Sequence, residues 1–171
     1  MELTEQLDFS AFLERFPIIE LPIQIDSESF HDINSVNEPL PNILVSAYLQ
    51  RTGEDEDLAE YVPVFRLPGG ETFVALVYWR AGLLKYAYLV ATYTLNGGLI
   101  DQTTVASTIY SEEKIIKSVA KFDEEGFVTV IEGVENAKTH ELSAAESKQL
   151  FFEILDNGTI QQSNKLSNQH L

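Results

Sequence analysis

The chain has 171 residues, of which 44% are hydrophobic and 11% aromatic, so it can fold as one domain around its own core. It has no cysteine, which excludes disulfides, thiolate metal sites and cysteine nucleophiles. Its 27 acidic residues outnumber 11 basic ones, and the net charge of −16 argues against binding to nucleic acid or to an anionic membrane.

The acidity is concentrated in the first third of the sequence. Residues 1–60 carry 14 acidic side chains and two basic ones, whereas residues 61–171 carry 13 and nine. Five of the acidic residues form a group that we call the acidic connector: Glu54, Asp55, Glu56, Asp57 and Glu60. We predict that this connector contacts a basic partner protein, as in a bacterial immunity or inhibitor protein, because a one-sided field speeds association with cations. Acidity that serves only solubility is the competing explanation.

Residues 1–60 are predicted to combine a helix with irregular structure. Four apolar residues recur at the spacing of one helix face: Phe9, Phe12, Leu13 and Phe16. Asp8 or Ser10 is placed to cap this helix and Pro17 to end it. Residues 18–25 suit a short extended segment, and residues 42–50 favour a second helix.

From Tyr61 onward the pattern changes to strand, turn and strand. Four turns end on glycines spaced 28, 28 and 32 residues apart: Gly70, Gly98, Gly126 and Gly158. A β-branched and aromatic run follows Gly69-Gly70, so this pair is predicted to turn the chain and not to hold a phosphate.

The sequence therefore predicts a mainly β protein, with α+β as the marginal assignment. We expect a curled antiparallel meander of about eight strands built from repeated hairpins, with the N-terminal helix packed on one face. The segments 73–79 and 83–95 are apolar on both faces and should be central strands. Residues 1–171 are predicted to be a single domain: a mixed helix and loop cover (1–60), a β-meander (61–163) and a polar tail (164–171).

No residue pattern indicates catalysis, a metal site or a cofactor. His31 lies near Asp26, Glu28 and Asp32, but their spacing matches no metal motif. The acidic connector lacks the residue order of a calcium loop, and no G-x-S-x-G elbow occurs. A glycosidase uses two suitably spaced carboxylates, but a chain with 27 acidic residues can supply such a pair by chance, so this feature gives no information about function. We therefore expect a non-catalytic binding protein.

The alternative hypothesis is a small-molecule or carbohydrate-binding domain, with hydrolysis as a further option. It depends on five aromatic residues in the central strands, which could line a cleft: Tyr78, Trp79, Tyr86, Tyr88 and Tyr93. Packing in the core is the favoured explanation for them.

Two further expectations concern location and assembly. The sequence starts without a basic and apolar leader, which predicts a soluble, cytoplasmic protein, although a removed export signal would leave the same sequence. An open sheet has two edges that another chain could pair with, so the oligomeric state stays open.

Overall fold

The computed structural model describes residues 8–26, 29, 37–49, 59–68 and 70–163. It is mainly β, with an antiparallel meander of eight strands, β2 to β9, and two short helices, α1 (Phe9–Leu13) and α2 (Asn42–Tyr48). The strands are β1 (Ile23–Ile25), β2 (Glu60–Arg66), β3 (Phe73–Ala81), β4 (Lys85–Thr94), β5 (Leu99–Tyr110), β6 (Lys114–Phe122), β7 (Val128–Asn136), β8 (Lys148–Ile154) and β9 (Ile160–Ser163). A 3-10 turn spans Ala144–Glu146. Within the described ranges, the helices are too short to cross a bilayer.

Four hairpin turns lie at the same end of the meander, because every second connection returns to that end. Each contains one glycine with φ between 87° and 95°: Gly70, Gly97, Gly126 and Gly158. Three of these are the predicted turn glycines. In the turn after β4, the glycine in the left-handed conformation is Gly97, one residue before Gly98 at the end of the turn. Strand β3 follows Gly70, which confirms a chain turn at this glycine.

The meander bends mainly between β5 and β6. Only three residue pairs of these strands are joined by backbone pairing. Beyond them a side-chain hydrogen bond takes its place, in which the Ser118 hydroxyl accepts from the Ser107 N–H at 2.7 Å. The sheet is not closed. We expected it to be strongly curled, and this prediction is wrong. Strong curl requires bulges or glycine kinks repeated across a sheet, and register shifts occur here only in the β2–β3 and β4–β5 pairs of the described strands.

The bend places a hydrophobic cluster, here called the central core, between the two halves of the meander. Phe65 in β2 contacts Phe122 in β6 with ring centroids 5.5 Å apart, although three strands separate them in the sheet order. Ile25 in β1 also lies in this core, because β1 pairs with the part of β6 that β5 leaves. The central core therefore unites the N-terminal segment with both halves.

A second cluster, the helix-side core, lies on the other face of β3 and β4. Phe9 and Phe12 of α1 are buried there against Tyr93, with ring centroids 5.4 and 5.9 Å from it. Of the two candidate caps, Asp8 caps the helix, since its Oδ1 accepts a hydrogen bond from the Ser10 N–H at 2.6 Å. Strands β3 and β4 are thus apolar on both faces because both faces are covered.

The N-terminal segment crosses the outer edge of β2 twice. On the way out, the Pro17 carbonyl accepts from the Arg66 N–H at 2.8 Å. On the way back, the Leu40 N–H donates to the Tyr61 carbonyl at 2.7 Å. These hydrogen bonds occupy backbone groups that an edge strand would otherwise offer to another chain.

Candidate functional site

The acidic connector is described only at its last residue. Glu60 is exposed at the start of β2, whereas Glu54 to Asp57 lie outside the described residues, as do Glu28, His31 and Asp32. Five acidic side chains in the described part of residues 1–60 are exposed: Asp8, Glu14, Glu20, Glu38 and Glu60. The first third therefore shows its charge to solvent at each of these positions.

The five aromatic candidates divide between the two faces of the sheet. Trp79, Tyr86 and Tyr88 face the central core, where the Trp79 ring lies 5.8 Å from Tyr86 and 4.4 Å from Tyr88. Tyr78 and Tyr93 face the helix-side core. All except Tyr86 are buried, so the structure does not bring the five together in one cleft.

Hydrogen bonds within the chain occupy the polar ends of the three buried tyrosines. The hydroxyl of Tyr78 donates to Gln102 Oε1 at 3.1 Å, that of Tyr88 to the Asp26 carbonyl at 2.9 Å, and that of Tyr93 to the Tyr48 carbonyl at 2.6 Å. Burial raises the pKa of all three well above the ordinary tyrosine value. These groups remain neutral donors and supply no acid–base chemistry near neutral pH.

A wide groove of about 790 Å³ lies beside the connection between β7 and β8. Five of its lining residues are glutamates, and we call it the glutamate groove: Glu112, Glu113, Glu135, Glu141 and Glu146. Lys114 and Lys138 also line it. The groove is acidic but partly neutralised by its own lysines.

Side-chain contacts within the chain account for two of these glutamates. Lys114 Nζ donates to Glu146 Oε1, and this contact raises the pKa of the lysine and lowers that of the glutamate. His140 Nδ1 lies 3.1 Å from Glu135 Oε1 on an exposed turn, where His140 takes φ 60°. The His140 side chain is therefore exposed to solvent.

A smaller cavity of about 160 Å³, here called the turn cavity, opens at the opposite end of the meander. It lies between the β2–β3 and β6–β7 turns, at the mouth of the central core. Its lining includes the apolar residues Leu21, Phe73 and Ile154, and two exposed glutamates, Glu124 and Glu125, lie at its rim. The turn cavity thus joins an apolar interior to an acidic opening.

Aspartate side-chain hydrogen bonds hold the turn that carries the rim glutamates. Asp123 Oδ1 accepts from the N–H groups of Glu125 at 2.9 Å and Phe127 at 3.0 Å. Gly126 supplies the positive φ of 88° that the turn requires. The positions of both glutamates are therefore set by the backbone.

No metal site is found among the residues that the structure describes, since no three His, Cys, Asp or Glu side chains converge there. No protein-family model, curated protein or solved structure matches this chain.

Sequence reasoning missed the glutamate groove and the turn cavity. Each is built from segments far apart in the chain, such as Leu21, Phe73 and Glu124 at the cavity. The only signal for the cavity in the sequence was the acidic run Asp123-Glu124-Glu125 beside a turn glycine. The apolar partners of that run become visible only when the two halves of the meander meet.

Proposed function

We propose that this chain is a non-catalytic binding protein whose acidic N-terminal third contacts a basic partner protein. The observation that carries the proposal is the uneven charge: residues 1–60 hold 14 acidic and two basic side chains. The five exposed acidic residues in the described part of this segment support it, because they leave their charge available to a partner.

The way in which the buried tyrosines are used also favours binding over catalysis. The hydroxyl groups of Tyr78, Tyr88 and Tyr93 are committed to partners within the chain. The sheet then serves as a support for the acidic third, whose described residues Pro17 and Leu40 hydrogen-bond to β2. A protein that covers a cationic surface of its partner, as inhibitors and immunity proteins do, needs such a support.

The proposal is tested with a fluorescent decalysine peptide and the full chain, measured by anisotropy at low and at high salt. The test variant neutralises the acidic connector (E54Q/D55N/E56Q/D57N/E60Q). A control variant neutralises the glutamate groove (E112Q/E113Q/E135Q/E141Q/E146Q), which removes the same number of charges elsewhere.

We expect the connector variant to bind decalysine about tenfold more weakly than the control, because each exposed charge pair contributes roughly 0.2–1 kcal/mol. Binding by the unaltered chain should weaken as salt is raised. Equal losses in the two variants would show that only net charge acts, and the proposal would then be wrong.

A further inference from the structure

We infer that the turn cavity accepts one long basic side chain, lysine or arginine, from the partner protein. This inference deepens the proposed function and rests on it. It names the chemistry that would anchor a basic partner at a defined place, at the turn end of the meander, separate from the acidic connector.

The size of the cavity fits a single side chain. Its volume is about 160 Å³, several times the roughly 30 Å³ that one water molecule takes up, which leaves room for the stem of one side chain. The lining of Leu21, Phe73, Ala75 and Ile154 offers apolar surface in the interior. The stem of a lysine or arginine is apolar and packs readily on such surface.

The charge at the rim selects the end group of that side chain. Glu124 and Glu125 are both exposed at the opening, and neither forms an ion pair within the described part of the chain. No basic side chain is among the described residues that line the cavity. An ammonium or guanidinium group could therefore sit between the rim glutamates while its stem remains inside, and the Phe73 ring could add a cation–π contact.

The glutamate groove is less suited to the same role. Lys114 and Lys138 lie in its lining, and Lys114 already pairs with Glu146. A basic ligand would have to displace these cations before gaining contacts of its own. The turn cavity offers two carboxylates that no cation among the described residues pairs with, next to apolar side chains, which is the combination that a long basic side chain needs.

The test uses two matched probes and amide NMR of the full chain. One probe is N-acetyl-lysine methylamide, and the other is N-acetyl-norleucine methylamide, which has an uncharged stem of the same length. We expect the lysine probe to shift the Gly70 and Gly126 amide signals saturably, and the norleucine probe to bind about threefold to tenfold more weakly.

Three variants locate the effect. E124Q/E125Q should weaken binding of the lysine probe about threefold to tenfold, whereas E112Q/E113Q, which removes an equal charge from the opposite end, should change it less than twofold. A75V should fill the cavity and weaken binding while both rim charges remain. Urea unfolding of each variant shows that it has folded.

The outcomes separate this inference from the proposed function. Equal effects of the two glutamate pairs, equal binding of both probes, or no saturable shift would each overturn the turn cavity as a site. Decalysine binding that is lost only in the connector variant would still support the acidic connector. Loss of lysine-probe binding in E124Q/E125Q and A75V, but not in E112Q/E113Q, would support the cavity whatever the connector does.

Discussion

Replacing Gly158 by alanine tests how the last hairpin packs on the rest of the sheet, and Gly126 offers a matched control. The two glycines have nearly the same φ, 87° and 88°, so alanine is strained equally at both. They differ in surroundings. A Cβ on Gly158 would lie 2.7 Å from Ile100 Cδ1 and 3.4 Å from Phe73 Cγ, whereas a Cβ on Gly126 would meet no atom within 4 Å.

The expected losses follow from these distances. Left-handed backbone costs an alanine about 1 kcal/mol relative to glycine, so Gly126→Ala should lower the free energy of unfolding by about that amount. Gly158→Ala should cost about 1–2 kcal/mol more, because Ile100 must move in a packed site. The Gly158 carbonyl also accepts a 2.6 Å hydrogen bond from the buried Thr92 hydroxyl, which limits how far the turn can shift.

Urea unfolding followed by circular dichroism measures the difference. With a slope of about 2 kcal/mol/M, the midpoint of Gly158→Ala should fall about 0.5–1 M below that of Gly126→Ala. Equal midpoints, or a lower one for Gly126→Ala, would refute the reasoning, since they would mean that the Gly158 turn does not press on Ile100 and Phe73.

The remaining predictions concern tyrosines. Tyr93→Phe removes a hydrogen-bond donor to the Tyr48 carbonyl and should lower the free energy of unfolding, measured in urea, by about 1–2 kcal/mol. Tyr61→Phe should be neutral or slightly stabilising, because the buried Tyr61 hydroxyl has no hydrogen-bond partner among the described residues. A larger loss in Tyr61→Phe than in Tyr93→Phe would contradict the assigned hydrogen bonds. Burial raises the pKa of Tyr78, Tyr88 and Tyr93 in the folded chain. The stability that these neutral tyrosines contribute is therefore complete below pH 10, which is near their pKa in the unfolded chain, and is lost as the pH rises above it. The free energy of unfolding should fall there by up to about 4 kcal/mol per pH unit for the three tyrosines together. In an alkaline titration, the fraction of unfolded chain should therefore rise together with the absorbance of these three tyrosines as tyrosinate. Ionisation of all seven tyrosines near pH 10 while the chain remains folded would rule this out.

The hairpins were predictable because their signals are local. A glycine at the end of a short polar stretch between β-forming runs indicates a turn, and Gly126 and Gly158 take the expected conformation. At Asn96-Gly97-Gly98 the sequence could not decide, because either glycine tolerates positive φ. The bend between β5 and β6 was missed, since it depends on a side chain, Ser118, that replaces backbone pairing.

The division of the aromatic residues was accessible to sequence reasoning in part. Side chains alternate along a strand, so adjacent Tyr78 and Trp79 must face opposite sides of the sheet. This alternation is by itself an argument against one shared cleft. Long-range placement was not accessible: β1 is three residues long, and nothing local in it indicates pairing with β6.

The docking of α1 has a consequence for synthesis on the ribosome. Phe12 contacts Tyr93, which is added 81 residues later, so the partner surface of α1 does not exist when the helix emerges. Tyr48, which Phe12 also contacts, is added earlier, but the side of the helix that faces β4 lacks its partner for the whole interval, and exposed apolar surface of this kind lets nascent chains associate. We expect the negative charge of the first 60 residues to oppose such association, which would give the acidity a use before any partner is met.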